Sequence, residues 1–150
     1  MHTIIQYLRH WLTAVNDHSL QAPFIYDFYS KVLKGTEQNE DSFAIEKIRQ
    51  ELLSSKSSIE VEAFGAESRV SNKQSRPISA IAKHGVTKAS ISFLLSRIIK
   101  YYNLKNIVEL GTSFGLNTLY LAMDSRCSLT TFEGCNNTLE IARANFKSLD

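Results

Sequence analysis

Apolar residues first recur at helical spacing near the amino terminus. In HTIIQYLRHWLTAVN, Ile4, Leu8, Trp11 and Val15 form one stripe, with Arg9, His10 and Asn16 off it. The spacing predicts an amphipathic helix that packs on the rest of the protein or on a second copy. Its unbroken apolar length is far below the roughly 18 residues of a membrane span, and its polar side lacks the Lys and Arg excess of an interfacial anchor. A second helix is expected over PFIYDFYSKVL, opened by Pro23 and closed by Gly35, since proline suits the first helical turn and glycine the position past the last. Its aromatic residues Phe24, Tyr26, Phe28 and Tyr29 read as core or as a dimer contact. A third helix follows Asn39 or Asp41 as cap, with Phe43, Ile45, Ile48, Leu52 and Leu53 on one side. SSKSS breaks that pattern. Ile59 to Phe64 alternates as a short strand does, and GAESRVSNKQSRP, with Arg69, Lys73 and Arg76, reads as a polar loop. Thr87 to Tyr102 places Ile91, Leu94, Leu95, Ile98 and Ile99 on one face of a further helix.

The pattern then changes period. NIVEL, 106–110, is a short strand, Gly111 starts a turn, Gly115 closes it, and LNTLYLAM runs on as a helix. Glycine lets backbone approach a ligand, and the first turn of a helix offers free N–H groups to an anion. The turn is not a P-loop, because GTSFGLN has neither the lysine nor the length. It also lacks the middle glycine of the GxGxxG nicotinamide fingerprint, which disfavours a nicotinamide-dependent oxidoreductase. Glu109, two residues before Gly111, would repel a pyrophosphate and welcome an ammonium group. SLTTFEG reads as a second strand ending in Glu133, and an acid there is placed to accept from two ribose hydroxyls. NNTLEIARANF follows as a helix capped by Asn136 or Asn137, with Leu139, Ala142 and Phe146 facing the sheet.

Composition narrows the function classes. The 150 residues are 43% hydrophobic and 21% charged, ordinary globular material. With 17 basic and 15 acidic residues the net charge is only +2, and no basic stripe argues for nucleic acid. Cys127 and Cys135 belong to no CxxC or Cys/His cluster and read as packing residues in a reducing, cytoplasmic setting. The four histidines show no ligand spacing with carboxylates or cysteines, so they are assigned no role and no metal-ligating residue is named in this chain.

From Lys88 to Phe146 the chain resembles the class I S-adenosylmethionine-dependent methyltransferases, in particular their O-methyltransferase-like branch. VELGTSFG is similar to the first motif of that family and TFEG to the acidic end of its second strand. The resemblance implies an α/β fold: a mostly helical region over 1–86, with a short strand near 59–64, then the first βαβα units of a Rossmann-like doubly wound parallel sheet over 87–150. It implies S-adenosyl-L-methionine as cofactor. Gly111 and Gly115 would pass close to its methionine part, Glu109 would meet the ammonium directly or through water, and Thr112, Ser113 and Phe114 would form the turn around the carboxylate. Glu133 would hold the ribose hydroxyls, Gly134 and Cys135 would lie near adenine, and Lys88 and Ser90 would touch the cofactor from the preceding helix. The residues from Asn106 onward suffice for two strand–helix units, so the resemblance covers the amino-terminal, cofactor-binding part of such a domain. Groups for a small-molecule acceptor, and the catalytic residues, would lie beyond Asp150. The alternative is a non-catalytic dimerisation or partner-binding module, with contacts through the helical amino terminus or an open sheet edge.

Overall fold

A computed structural model describes residues 2–14, 22–35, 40–62, 73–123 and 126–149. Of the positions invoked above, Val15, Asn16, Asn39, Phe64 and Arg69 lie outside that set. The chain divides into two compact units, Met1–Thr36 and Glu37–Asp150. The division thus falls well before residue 86, and the third helix and the short strand belong with the glycine turn.

In the first unit the amino-terminal stripe forms helix α1, His2–Thr13. Its apolar side chains are open to solvent, Trp11 at 68% exposure. Helix α2, Pro23–Phe28, has its proline at the first turn as expected and runs into a π-helical stretch, Tyr29–Leu33, in which the Lys34 N–H reaches the Tyr29 carbonyl at 2.9 Å. Phe24 and Phe28 stack at 6.5 Å. Phe24 and Tyr26 are exposed, whereas Phe28 and Tyr29 are half-buried and Val32 is fully buried.

The second unit is mixed α/β, with two two-stranded sheets. Helix α3, Glu40–Ser54, buries Ile45, Ile48 and Leu52 but leaves Phe43 in solvent; Asp41 lies inside the helix rather than capping it. Strand β1, Ser58–Glu62, pairs antiparallel with β2, Lys73–Pro77, in the register Ser58↔Pro77 to Glu62↔Lys73. The expected polar loop therefore ends in a strand. KQSRP has no apolar alternation, and its backbone finds partners in β1 all the same, as edge strands with polar side chains do. Helix α4, Ile78–His84, was not visible as a separate element, although Ile78, Ile81 and Ala82 have helical spacing; it stops at Gly85, whose N–H bonds the Ile81 carbonyl at 2.7 Å.

Helix α5, Ala89–Tyr102, ends in a Schellman motif: Asn103 adopts φ 52°, its N–H bonds the Lys100 carbonyl, and the Leu104 N–H bonds the Ile99 carbonyl at 3.0 Å. That closure turns the chain directly into β3, Asn106–Leu110. Helix α6, Leu116–Ala122, crosses to β4, Ser128–Phe132, which lies parallel to β3 from Asn106↔Ser128 to Leu110↔Phe132. Helix α7, Asn136–Lys147, completes the described chain. This strand, crossover helix and parallel strand is the arrangement expected of the glycine-turn segment.

The core forms where α3, α4 and α6 meet, around Ile45, Ile48, Leu52, Ala82, Phe114, Leu116 and Tyr120. The Phe93 ring meets Tyr120 edge to face at 4.7 Å. The Tyr120 hydroxyl donates to Glu46 Oε1 at 2.7 Å, and Arg49 Nε donates to the same oxygen at 2.9 Å. One face of the parallel pair carries Ile107, Glu109, Leu129 and Thr131. The other leaves Val108, Leu110 and Phe132 at 66, 82 and 56% exposure.

Candidate functional site

The turn between β3 and α6 is pinned from the neighbouring strand. The N–H groups of Gly111 and Thr112 both reach the Phe132 carbonyl, at 2.8 and 3.1 Å, and the Gly115 N–H closes on the Thr112 carbonyl at 2.8 Å. Three residues in five take left-handed backbone: Gly111 at φ 93°, Ser113 at φ 50° and Gly115 at φ 78°. Two of these are the glycines that make such a path inexpensive. Ser113 is held there by a specific contact, since its N–H donates to Glu133 Oε2 at 2.7 Å. The same carboxylate takes the Cys135 N–H on Oε1 at 2.9 Å. Glu133, half-buried at the end of β4, thus grips the turn opposite it.

The two glycines differ. A Cβ on Gly111 meets nothing within 4 Å, so the backbone there faces open space. A Cβ on Gly115 would run into the Phe146 ring and lie 3.3 Å from the Ala142 Cβ. Gly115 therefore serves the close approach of α7 to the start of α6, which Asn145 reinforces by donating from Nδ2 to the Phe114 carbonyl at 2.8 Å. The Phe114 ring belongs to the core, so only its backbone borders the turn.

Glu109 points inward. It is 9% exposed and its carboxylate accepts three hydrogen bonds: Asn117 Nδ2 on Oε1 at 2.7 Å, with Thr118 Oγ1 and Thr131 Oγ1 on Oε2 at 2.5 and 2.8 Å. The parallel register explains Thr131, which stands directly opposite Glu109 on the same face. The spacing of α6 puts Asn117 and Thr118 over it. A carboxylate withdrawn from water is costly unless it is hydrogen-bonded, and these three donors satisfy both of its oxygens. Thr112 Oγ1 lies 2.6 Å from Thr131 Oγ1, and Ser92 Oγ donates to Asn117 Oδ1 at 2.8 Å.

Sequence reasoning missed Ser92, Asn117, Thr118 and Thr131. The signal was available as polar side chains on faces that are otherwise apolar: Ser92 lies three residues before Leu95 and seven before Ile99, and Thr131 shares its strand face with Leu129. Lys88 and Ser90 stand exposed at the start of α5, where Lys88 is the N-cap through its backbone alone, and Ser92 is the residue of that turn that reaches the network. Helix α6 is seven residues long, a short source for a helix dipole.

Beyond β4, Gly134 is exposed and Cys135 buried. Cys135, rather than Asn136 or Asn137, is the N-cap of α7; Asn137 instead donates from Nδ2 to the Glu60 carbonyl at 2.7 Å, tying α7 to β1. Burial alone pushes the Cys135 thiol up, but hydrogen bonds from the Glu62 backbone, from the backbone and hydroxyl of Thr138, and from the Asn137 backbone outweigh it and hold the thiol below its ordinary value.

A groove of about 630 Å³ opens elsewhere, between α3, α6, α7 and β4. Its walls include Met123 and Phe146, and it shares Thr118 and Thr131 with the Glu109 network, but no residue of the glycine turn lines it. Among the described residues no helix is long and apolar enough to cross a membrane. No family model, no curated protein and no solved structure matches the chain.

Proposed function

We propose that the chain binds S-adenosylmethionine at the β3–α6 turn, as the cofactor-binding part of a Rossmann-like, class I methyltransferase acting on a small-molecule acceptor. The observation that carries this reading is the placement of Glu133. Its carboxylate sits beside the turn through Ser113 at 2.7 Å, and with one hydrogen bond on each oxygen it has lone pairs left for a vicinal diol. Gly111 fits the same ligand, because its open side admits a group against bare backbone. Glu109, enclosed by Asn117, Thr118 and Thr131, acts on such a ligand through the turn it supports or through water. The two cysteines are free thiols, which suits a reducing cytoplasm.

The cofactor supplies a methyl group on a positively charged sulfur, which is activated toward in-line displacement. What the protein contributes at this turn is orientation: Glu133 fixes the nucleoside end and the Gly111 backbone the amino-acid end. Holding two reactants aligned is worth roughly 7–11 kcal/mol of barrier in favourable cases. Isothermal titration of the chain with S-adenosylmethionine and S-adenosylhomocysteine tests the reading. Binding is expected, and Glu133→Ala is expected to weaken it at least tenfold, about 1.4 kcal/mol, with the fold retained by circular dichroism. Equal affinity in the variant, or no binding by the parent chain, ends it.

A second reading, a partner-binding or dimerisation module, is favoured by the solvent-facing stripe of α1, with Ile4, Leu8 and Trp11 all more than half exposed. Self-association that Trp11→Ala abolishes, in a chain that ignores both nucleosides, would support it.

A further inference from the structure

We propose that Ser92 is a positioning residue for the ligand turn, acting through Asn117 to hold Glu109 and the hydrogen bonds beneath the turn in place. The inference rests on the function proposed above and adds to it a residue in a different helix.

An ionised Glu109 only accepts, so every group that touches it must donate. Asn117 must therefore present Nδ2 to Oε1, which turns its Oδ1 the other way, toward α5. An amide oxygen also only accepts, so the group it meets has to be a donor. Ser92, fully buried, supplies that donor at 2.8 Å. Thr131 gives its single proton to Glu109 Oε2, so in the 2.6 Å contact with Thr112 it can only accept, and Thr112 is the donor. Thr112 lies between Gly111 and the left-handed Ser113. Two oriented lines of hydrogen bonds thus converge on Glu109 in β3: one from Ser92 in α5 through Asn117 in α6, the other from Thr112 in the turn through Thr131 in β4.

Removing the Ser92 hydroxyl leaves the half-buried Asn117 oxygen without its side-chain donor, and the amide is then held toward Glu109 by its Nδ2 bond alone. The disturbance reaches Thr112 by way of Glu109 and Thr131, without any change in the residues that would touch the ligand. Ser92→Ala keeps the volume of the site nearly constant, which separates loss of the donor from loss of packing.

The test compares the parent chain, Ser92→Ala, Asn117→Ala and the double variant. It measures S-adenosylmethionine affinity by titration, thermal unfolding, and the amide shifts of Gly111, Thr112 and Ser113 by heteronuclear NMR. Ser92→Ala is expected to weaken binding about tenfold and to move those three amides. The double variant is expected to bind no more weakly than Asn117→Ala alone, because the two residues act in one line. A serine that only packs would lower the melting temperature, leave affinity and turn amides unchanged, and add its effect to that of Asn117→Ala; that result overturns the proposal. If the parent chain does not bind the nucleoside, the proposed function falls separately, and the amide shifts alone decide: moved amides uphold the positioning role, unmoved amides refute it.

Discussion

Gly111 and Gly115 share the left-handed region but not the reason for it. At Gly115 a side chain would meet both backbone strain and the Phe146 ring. Strain of about 1–2 kcal/mol and overpacking of about 1–3 together put Gly115→Ala near 3 kcal/mol of lost stability in urea unfolding. Gly111→Ala meets open space and should lose only the strain, about 1–2 kcal/mol, while any nucleoside affinity falls further than stability does. The sequence marked both positions through one spacing argument, because a glycine pressed against a neighbouring helix and one that faces open space look alike in letters. The acids divide in the same way. Glu133 was legible as a strand-end carboxylate beside the turn, and it is there. The inward aim of Glu109 depends on which face of β3 is covered, and that is fixed by α6 and by the register with β4 rather than by NIVEL itself.

At the scale of elements, strong helical periodicity was the dependable guide: α3, α5 and α7 fall where their apolar positions put them. The β1–β2 hairpin shows the limit. Ile59 and Val61 announce the first strand, but the second is written in polar residues whose only strand-like property is a partner distant in sequence. Between α3 and α6 the decisive link is the Tyr120 phenol. Burial, and then its bond to the Glu46 carboxylate, raise the phenol above its ordinary value of 10.0. The folded state therefore keeps the proton after the unfolded chain has released it. This contribution is whole below about pH 10 and is lost as the pH climbs past it. Tyr120→Phe should cost about 1 kcal/mol at neutral pH by removing the hydrogen bond to Glu46, yet show a shallower decline from pH 10 to 11. Urea midpoints collected across that range measure both.

At the scale of the whole molecule, the parallel pair is covered on one side only. Parallel sheets bury both faces as a rule, and Val108, Leu110 and Phe132 present a contiguous apolar patch to water. Leu110→Lys should reduce light scattering at high protein concentration while changing the unfolding free energy by no more than about 0.5 kcal/mol, the usual range for an exposed position. The turn at the end of that sheet is built differently, since Phe132, Glu133 and Asn145 all hold its backbone. For the nucleoside proposed above, this is a turn whose backbone is held before any ligand arrives. Few torsions remain to be frozen on arrival, so the calorimetric entropy penalty should be small, and the association rate should follow solvent viscosity rather than any slow rearrangement of the host.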